Sequence, residues 1–400
     1  MKNKKIIWLH SHFNYWMGGT KYVYEVISEL KNDYTIICAV EDFNQFSDNK
    51  YKEIGIKINR LNFLSSNSII YWVLMPAMLL IDLFYLKKII KDQKLNYKNS
   101  IIISSMFPMN FIAKLTGLKH IQLCFEPFAF FYDDEFISKF SIPKKIFIKI
   151  IKFLYSPLDF IATRSADKIL TLNSVTKRLM KEVFDVESEL TQAGVNSDLF
   201  KPYISKRISD QYKNIPIVIH STDYSPIKGT DRVISAFAIA KKKAKNAKLL
   251  ITSTIKNETA EQKLKNQARQ LKIDRAVEFL GFVDIEDLPQ LYTIASVLVQ
   301  GSSSLKSGTT SMALPVKEAM CCETPAIRPD AGGEDVINGK TGFLVDPRDT
   351  NLLAEKMTLL LLDDKLSKKM GKLARKDIIN RYTWKNTTTV FSKSIKKVFI

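Results

Sequence analysis

Residues 215–237 read IPIVIHSTDYSPIKGTDRVISAF. An apolar run ends in a polar loop, the loop closes on Lys228-Gly229-Thr230, and an amphipathic run follows. Apolar residues without alternation suit a strand covered on both faces, which means a parallel sheet between helices. The pattern repeats downstream as strand KLLITST, helix AEQKLKNQARQLK, strand VEFLGFV, helix EDLPQLYTIA and strand SVLVQGS. It also runs upstream, through KKIIWLH, helix YVYEVISELK, YTIICAV, SIIISS (100–105), KHIQLCF (119–125) and KILTLN (168–173). Between the two series, near 200–215, the chain is polar, holds Pro202 and has no periodicity. The expectation is two doubly wound α/β domains, with ligands bound where the strands end in the cleft between them.

The bulk numbers agree. A chain of 400 residues is comfortable for two cores, and 46% apolar with 25% charged residues is an ordinary globular composition. No internal repeat or low-complexity tract stands out. The net charge of +19 favours a polyanionic partner such as phosphorylated substrates or an anionic membrane surface. Nucleic acid is set aside, because no module with interleaved aromatics or a recognition helix is present. Residues 139–181 hold ten Lys or Arg and two Asp or Glu. There KFSIPKKIFIKIIKFLY reads equally as a helix lying on an anionic bilayer or as a core helix with a solvated basic edge. The stretch IIYWVLMPAMLLIDLFYL (69–86) has the length of a membrane span but contains Pro76 and Asp82. It is expected to be a mostly buried helix, with one-sided embedding in a membrane as the alternative.

Cys38, Cys124, Cys321 and Cys322 lack metal-site or redox spacing, which suits a reducing compartment. The apolar run after Met1 is too short for a signal peptide. The expected location is therefore cytoplasmic, peripheral on the inner membrane face.

Four loops carry chemistry. Gly18-Gly19 ends the turn after the first strand and opens a helix, where backbone N–H groups can cradle phosphate. Lys228-Gly229 does the same in the second series and adds a cation. In SSSLKSGTTSMALPVKEAM a small-residue loop precedes a helix bearing Glu318, a carboxylate able to accept hydrogen bonds from a vicinal diol such as a ribose. The glycine-rich DAGGEDVINGKTGFLVDP closes the same wall. A dinucleotide G-x-G-x-x-G fingerprint and a Walker loop are both absent.

Together with AGVNSDLFKP, FLGFVD, LPVKEAMCCETPA and GKTGFLVDP, these pieces resemble the group-1 family of retaining, nucleotide-sugar-dependent glycosyltransferases of GT-B architecture. The resemblance runs over nearly the whole chain and is strongest in the second series. It implies an acceptor-binding Rossmann-like domain over 1–205 and a nucleotide-sugar domain over 206–378. It also implies a last helix, 379–400, that packs back on the first domain. It implies sugar transfer with retained anomeric configuration from a UDP- or GDP-sugar to a polyprenol-linked or glycan acceptor. Lys228 would neutralise the donor diphosphate, and Glu318 would bind the ribose hydroxyls. Backbone at Phe282 and Val283 would meet the base. Amides of Ser311, Met312, Ala313 and Leu314 would approach the phosphates and sugar, and Gly18-Gly19 would approach the diphosphate from the first domain. The chain has no D-x-D, which agrees with metal-free, cofactor-free chemistry.

The departures are specific. The family's first glutamate falls at Thr310, its arginine at Asp223, and its histidine before Glu126 at Phe125. His10, His12, Asp223 or Glu126 would have to replace these contacts to the sugar or acceptor. A catalytically silent GT-B partner subunit is the alternative. An epimerase or phosphorylase of the same fold is the third.

Overall fold

The computed structural model describes residues 4–14, 16, 18–64, 66, 68–138, 140–302 and 312–399. The chain groups into two compact units, one of residues up to 193 together with those from 384 on, the other of residues 194–302 and 313–383. Met312 groups with the first.

The first unit is a parallel seven-stranded sheet. Its strands are β1 (Lys5–Phe13), β2 (Thr35–Phe43), β3 (Ile58–Arg60), β4 (Ser100–Ser104), β5 (Lys119–Cys124), β6 (Lys168–Thr171) and β7 (Glu189–Leu190), in the order β3-β2-β1-β4-β5-β6-β7. β1 and β4 lie at the middle, and nearly every residue in them is buried, which is why they read as unbroken apolar runs. The edge strands β3 and β7 have three and two residues, too few to carry a pattern. The helix Trp384–Phe399 belongs to this unit. The Trp8 and Phe391 rings lie 5.7 Å apart and those of Tyr22 and Trp384 5.6 Å apart. The Thr387 hydroxyl donates to the Gln192 carbonyl at 2.7 Å.

The second unit repeats the plan with six parallel strands, β8 (Ile217–Thr222), β9 (Lys248–Ser253), β10 (Val277–Gly281), β11 (Val297–Val299), β12 (Ala326–Arg328) and β13 (Gly342–Leu344). Their order is β10-β9-β8-β11-β12-β13. In each sheet the strand order reverses beside the first strand, between β1 and β4 and between β8 and β11. The loops leaving β1 and β8 therefore sit at switch points, where open α/β sheets bind ligands. The polar break is partly helical, since Lys206–Gln211 forms a helix capped by Ser205.

The stretch 69–86 corrects the expectation of a mostly buried helix. It forms two helices, Ile69–Val73 and Met75–Asp92, with Pro76 opening the second. Tyr71, Trp72, Met75, Met78, Leu79 and Leu86 are buried, whereas Ile69, Ile70, Val73, Leu80 and Phe84 are exposed. Among the described residues no helix is long and apolar enough to cross a membrane. Asp82 is tolerated inside because Tyr71 Oη donates to its Oδ2 at 3.2 Å.

Candidate functional site

In the second unit the site begins at the end of β8. Asp223 Oδ1 accepts from the Ser225 amide (2.9 Å) and hydroxyl (2.5 Å), which folds the loop into a tight turn. A single 3-10 turn, Pro226–Lys228, leads to Gly229 at φ +62°, and the helix Thr230–Lys241 starts there. Gly229 packs backbone to backbone on Gly301, at the end of β11. A Cβ on Gly229 would lie 1.9 Å from the Gly301 carbonyl oxygen, and one on Gly301 would lie 2.5 Å from that of Gly229. Only glycine fits either position.

A buried polar chain fixes this turn. The His220 Nδ1–H donates to the Val299 carbonyl at 2.8 Å. Its Nε2 accepts from the Thr230 hydroxyl at 3.0 Å, and Thr222 donates to Thr230 at 2.8 Å. Burial, with the Lys228 charge adding to it, holds the imidazole down to about 4, so it stays neutral. His220 thus ties β8, β11 and the helix start together. It went unnoticed in the sequence because a histidine inside an apolar run gives no signal of its partners. Lys228 is part-exposed, its Nζ 3.7 Å from Asp223 Oδ2.

Glu318 lies in the helix Leu314–Cys321, which opens on Pro315 and follows Ala313 at φ +36°. It is buried, and Tyr292 Oη donates to its Oε2 at 3.4 Å. Ser221, in β8, pairs with Thr252 at 2.6 Å. Behind the helix, buried Asp335 pairs with Lys317 at 3.2 Å and with Arg328. These two cations hold its carboxyl low against the cost of burial.

Phe282 and Val283 follow β10. Phe282 is exposed, and both line a pocket of about 280 Å³ with Arg207, Tyr212, Asp284 and Gln290. Neither Lys228 nor Glu318 lines that pocket. Thr310 and Ser311 lie outside the described residues.

In the first unit Gly18 and Gly19 open the helix Gly18–Leu30. Met312 Cε is 3.3 Å from where a Cβ on Gly18 would stand. His10 is buried within β1, stacked on Phe13 at 5.1 Å and edge-on to Phe125 at 6.1 Å. Burial and the neighbouring His12 push its imidazole down to about 3. Its Nδ1 has no hydrogen-bond partner among the described residues. Glu126, half-buried, follows Phe125 after β5. The predicted residues thus separate: His10, Gly18, Gly19 and Glu126 belong to one unit, and Lys228, Gly229, Phe282, Val283, Ala313, Leu314 and Glu318 to the other. No group of three or more His, Cys, Asp or Glu side chains among the described residues is arranged to hold a metal ion.

Residues 204–377 match the family model of the group 1 glycosyl transferases. The N-acetyl-alpha-D-glucosaminyl L-malate synthase of Bacillus anthracis is 30% identical over 168 residues, 42% of this chain and 41% of that protein. The GDP-mannose-dependent alpha-(1-6)-phosphatidylinositol monomannoside mannosyltransferase of Mycolicibacterium smegmatis is 24% identical over 230 residues, 55% of this chain and 59% of that protein. The chain thus spans roughly half the length of the curated relatives it matches. The structure of Anabaena HepE in complex with UDP-glucose superposes with a TM-score of 0.73 at 15% identity, covering 98% of this chain and 99% of that one. At that identity the likeness concerns the fold.

Proposed function

We propose that this chain, whose residues 204–377 match the group 1 glycosyl transferase model and whose two Rossmann-like units are those of the GT-B fold, transfers a sugar from a nucleoside-diphosphate sugar to a lipid-linked or glycan acceptor with retention of configuration. The observation that carries the reading is the Lys228-Gly229-Thr230 turn, locked by His220, in the same unit as buried Glu318, whose carboxylate accepts from Tyr292. The turn offers a cation and a helix N-terminus to a diphosphate, and the carboxylate offers acceptors to a diol.

When the glycosidic bond breaks, negative charge grows on the leaving diphosphate. Lys228 and the N-terminus of the helix Thr230–Lys241 stabilise that charge without rearranging, because the turn is already fixed. Glu318 accepts from the ribose hydroxyls and positions the donor. Phe282 and Val283 meet the base, and Ala313 and Leu314 face the phosphates and sugar. Gly18 and Gly19 approach the diphosphate from the first unit, where His10 and Glu126 serve the sugar or acceptor. The relatives' printed names support this range: one uses GDP-mannose on a phosphatidylinositol glycolipid, and one fold neighbour holds UDP-glucose. The absence of D-x-D supports charge neutralisation by Lys228.

Donor hydrolysis across a panel of UDP- and GDP-sugars, with calorimetry of UDP and GDP binding, tests the proposal. Nucleotide binding with release of one sugar is expected. No binding at millimolar nucleotide overturns it. A second reading has one observation behind it, since Asp223 puts a carboxylate where the family resemblance calls for an arginine. Binding without turnover on any donor and acceptor would favour that silent partner subunit.

A further inference from the structure

The helix Ile142–Arg164 carries apolar side chains on two opposite sides. Ile148, Ile151 and Ala162 are buried in the first unit. Ile142, Ile146, Ile150, Phe153 and Phe160 recur at helical spacing on the other side, and all are exposed, Phe153 at 81% and Ile142 at 73%. One exposed leucine or phenylalanine needs no explanation, but a continuous stripe of them on a helix does. Lys145, Lys149 and Lys152 run along one flank of the stripe. Lys152 shares its charge with Asp134 at 3.2 Å. The helix's single carboxylate, Asp159, is buried, so the charges it shows to solvent are all positive.

The neighbouring helix Met75–Asp92 continues the pattern. Leu80 and Phe84 are exposed, with exposed Lys87, Lys88 and Lys91 one and two turns on. Tyr155 Oη donates to the carbonyl of Trp72, in the short helix Ile69–Val73 that precedes Met75–Asp92, at 3.4 Å.

We propose that this stripe docks the first unit on an anionic lipid bilayer. The helix lies in the interface with Ile146, Ile150 and Phe153 at the acyl boundary. Lysine stems run along the apolar surface and place their ammonium groups at lipid phosphates. Charge decides the occupant. A second copy of the chain would set cations against cations, whereas an anionic headgroup layer complements them. The proposal stands apart from the transfer reaction, because binding to vesicles needs no turnover.

The full chain is floated with vesicles of phosphatidylcholine alone and of phosphatidylcholine mixed with phosphatidylglycerol. Binding to the mixed vesicles, weakened by salt, is expected. Ile150→Glu with Phe153→Glu should lower it at least about ten-fold. Lys145→Ala, Lys149→Ala and Lys152→Ala together should lower it about a hundred-fold at low salt. None of the five positions is buried, so unchanged thermal melts identify loss of binding as a surface effect. Undiminished flotation of the glutamate variant, or a wild-type chain that stays unbound, overturns the proposal. A wild-type dimer that the glutamate variant dissolves, without vesicle binding, reassigns the stripe to self-association.

Discussion

Asp223 Oδ2 stands 3.7 Å from Lys228 Nζ, across the turn that ends at Gly229. A diphosphate arriving at Lys228 must therefore compete with a carboxylate already beside it. A partly exposed ion pair of this kind contributes up to about 1 kcal/mol. Asp223→Asn should tighten UDP or GDP binding up to about five-fold, by calorimetry. Weaker binding would show that Asp223 holds the ligand or the turn instead. Lys228→Ala should lower turnover about 10²–10³-fold while the melting temperature holds.

The buried bond between Tyr292 and Glu318 makes a second prediction specific. Glu318→Gln keeps the side-chain volume but halves the acceptor capacity toward a diol. The wild type should prefer UDP or GDP over the matching 2′,3′-dideoxy nucleotides, and Glu318→Gln should erase most of that preference. Equal preference in both proteins would remove the ribose role.

Gly229 and Gly301 touch through their backbones, so neither accepts a side chain. Gly229→Ala combines a positive φ with a 1.9 Å approach to the Gly301 oxygen and should cost at least about 2 kcal/mol. Gly301→Ala, where a Cβ would also meet Val233 Cγ2 at 2.6 Å, should cost a similar amount. Chemical denaturation measures both. Loss of nucleotide binding should accompany loss of stability, because the same contact sets the position of Lys228.

The first unit should weaken as pH rises. Burial, followed by the charge of Asp82, pushes the Glu41 carboxyl up to about 8, and burial pushes Asp82 up to about 7. Glu41 Oε2 accepts from the Ser66 amide and hydroxyl, both at 2.7 Å. Both groups bind protons more tightly folded than unfolded. Their contribution is therefore complete below the ordinary carboxylate range and declines as pH climbs toward 7–8. Each group changes stability by up to about 1.4 kcal/mol per pH unit in that window. Melting temperature should fall between pH 5 and pH 8, and Glu41→Gln should flatten the curve. A wild-type melting temperature that rises across that window would show both carboxylates to be ionised in the fold.

The sheets were legible because β1, β4, β8 and β9 are central and buried on both faces, so their apolar runs are unbroken. The short strands β3, β7, β12 and β13 are set by pairing with a neighbour, which leaves no periodic trace. Lys228, Gly229 and Glu318 were readable from loop chemistry at strand ends. His220 and Gly301 were not, because each matters through a partner 79 or 72 residues away, Val299 for the first and Gly229 for the second. The stretch 69–86 misled for a related reason: hydropathy alone does not say which apolar residues face the core.

The helix Trp384–Phe399 rests on Trp8 and Tyr22, so the unit that the chain begins first is completed last. During synthesis its sheet must wait, with the surface around Trp8 and Tyr22 uncovered, while the whole second unit is made. The interval in which the first unit is most open to aggregation or chaperone capture is thus set by the length of its neighbour.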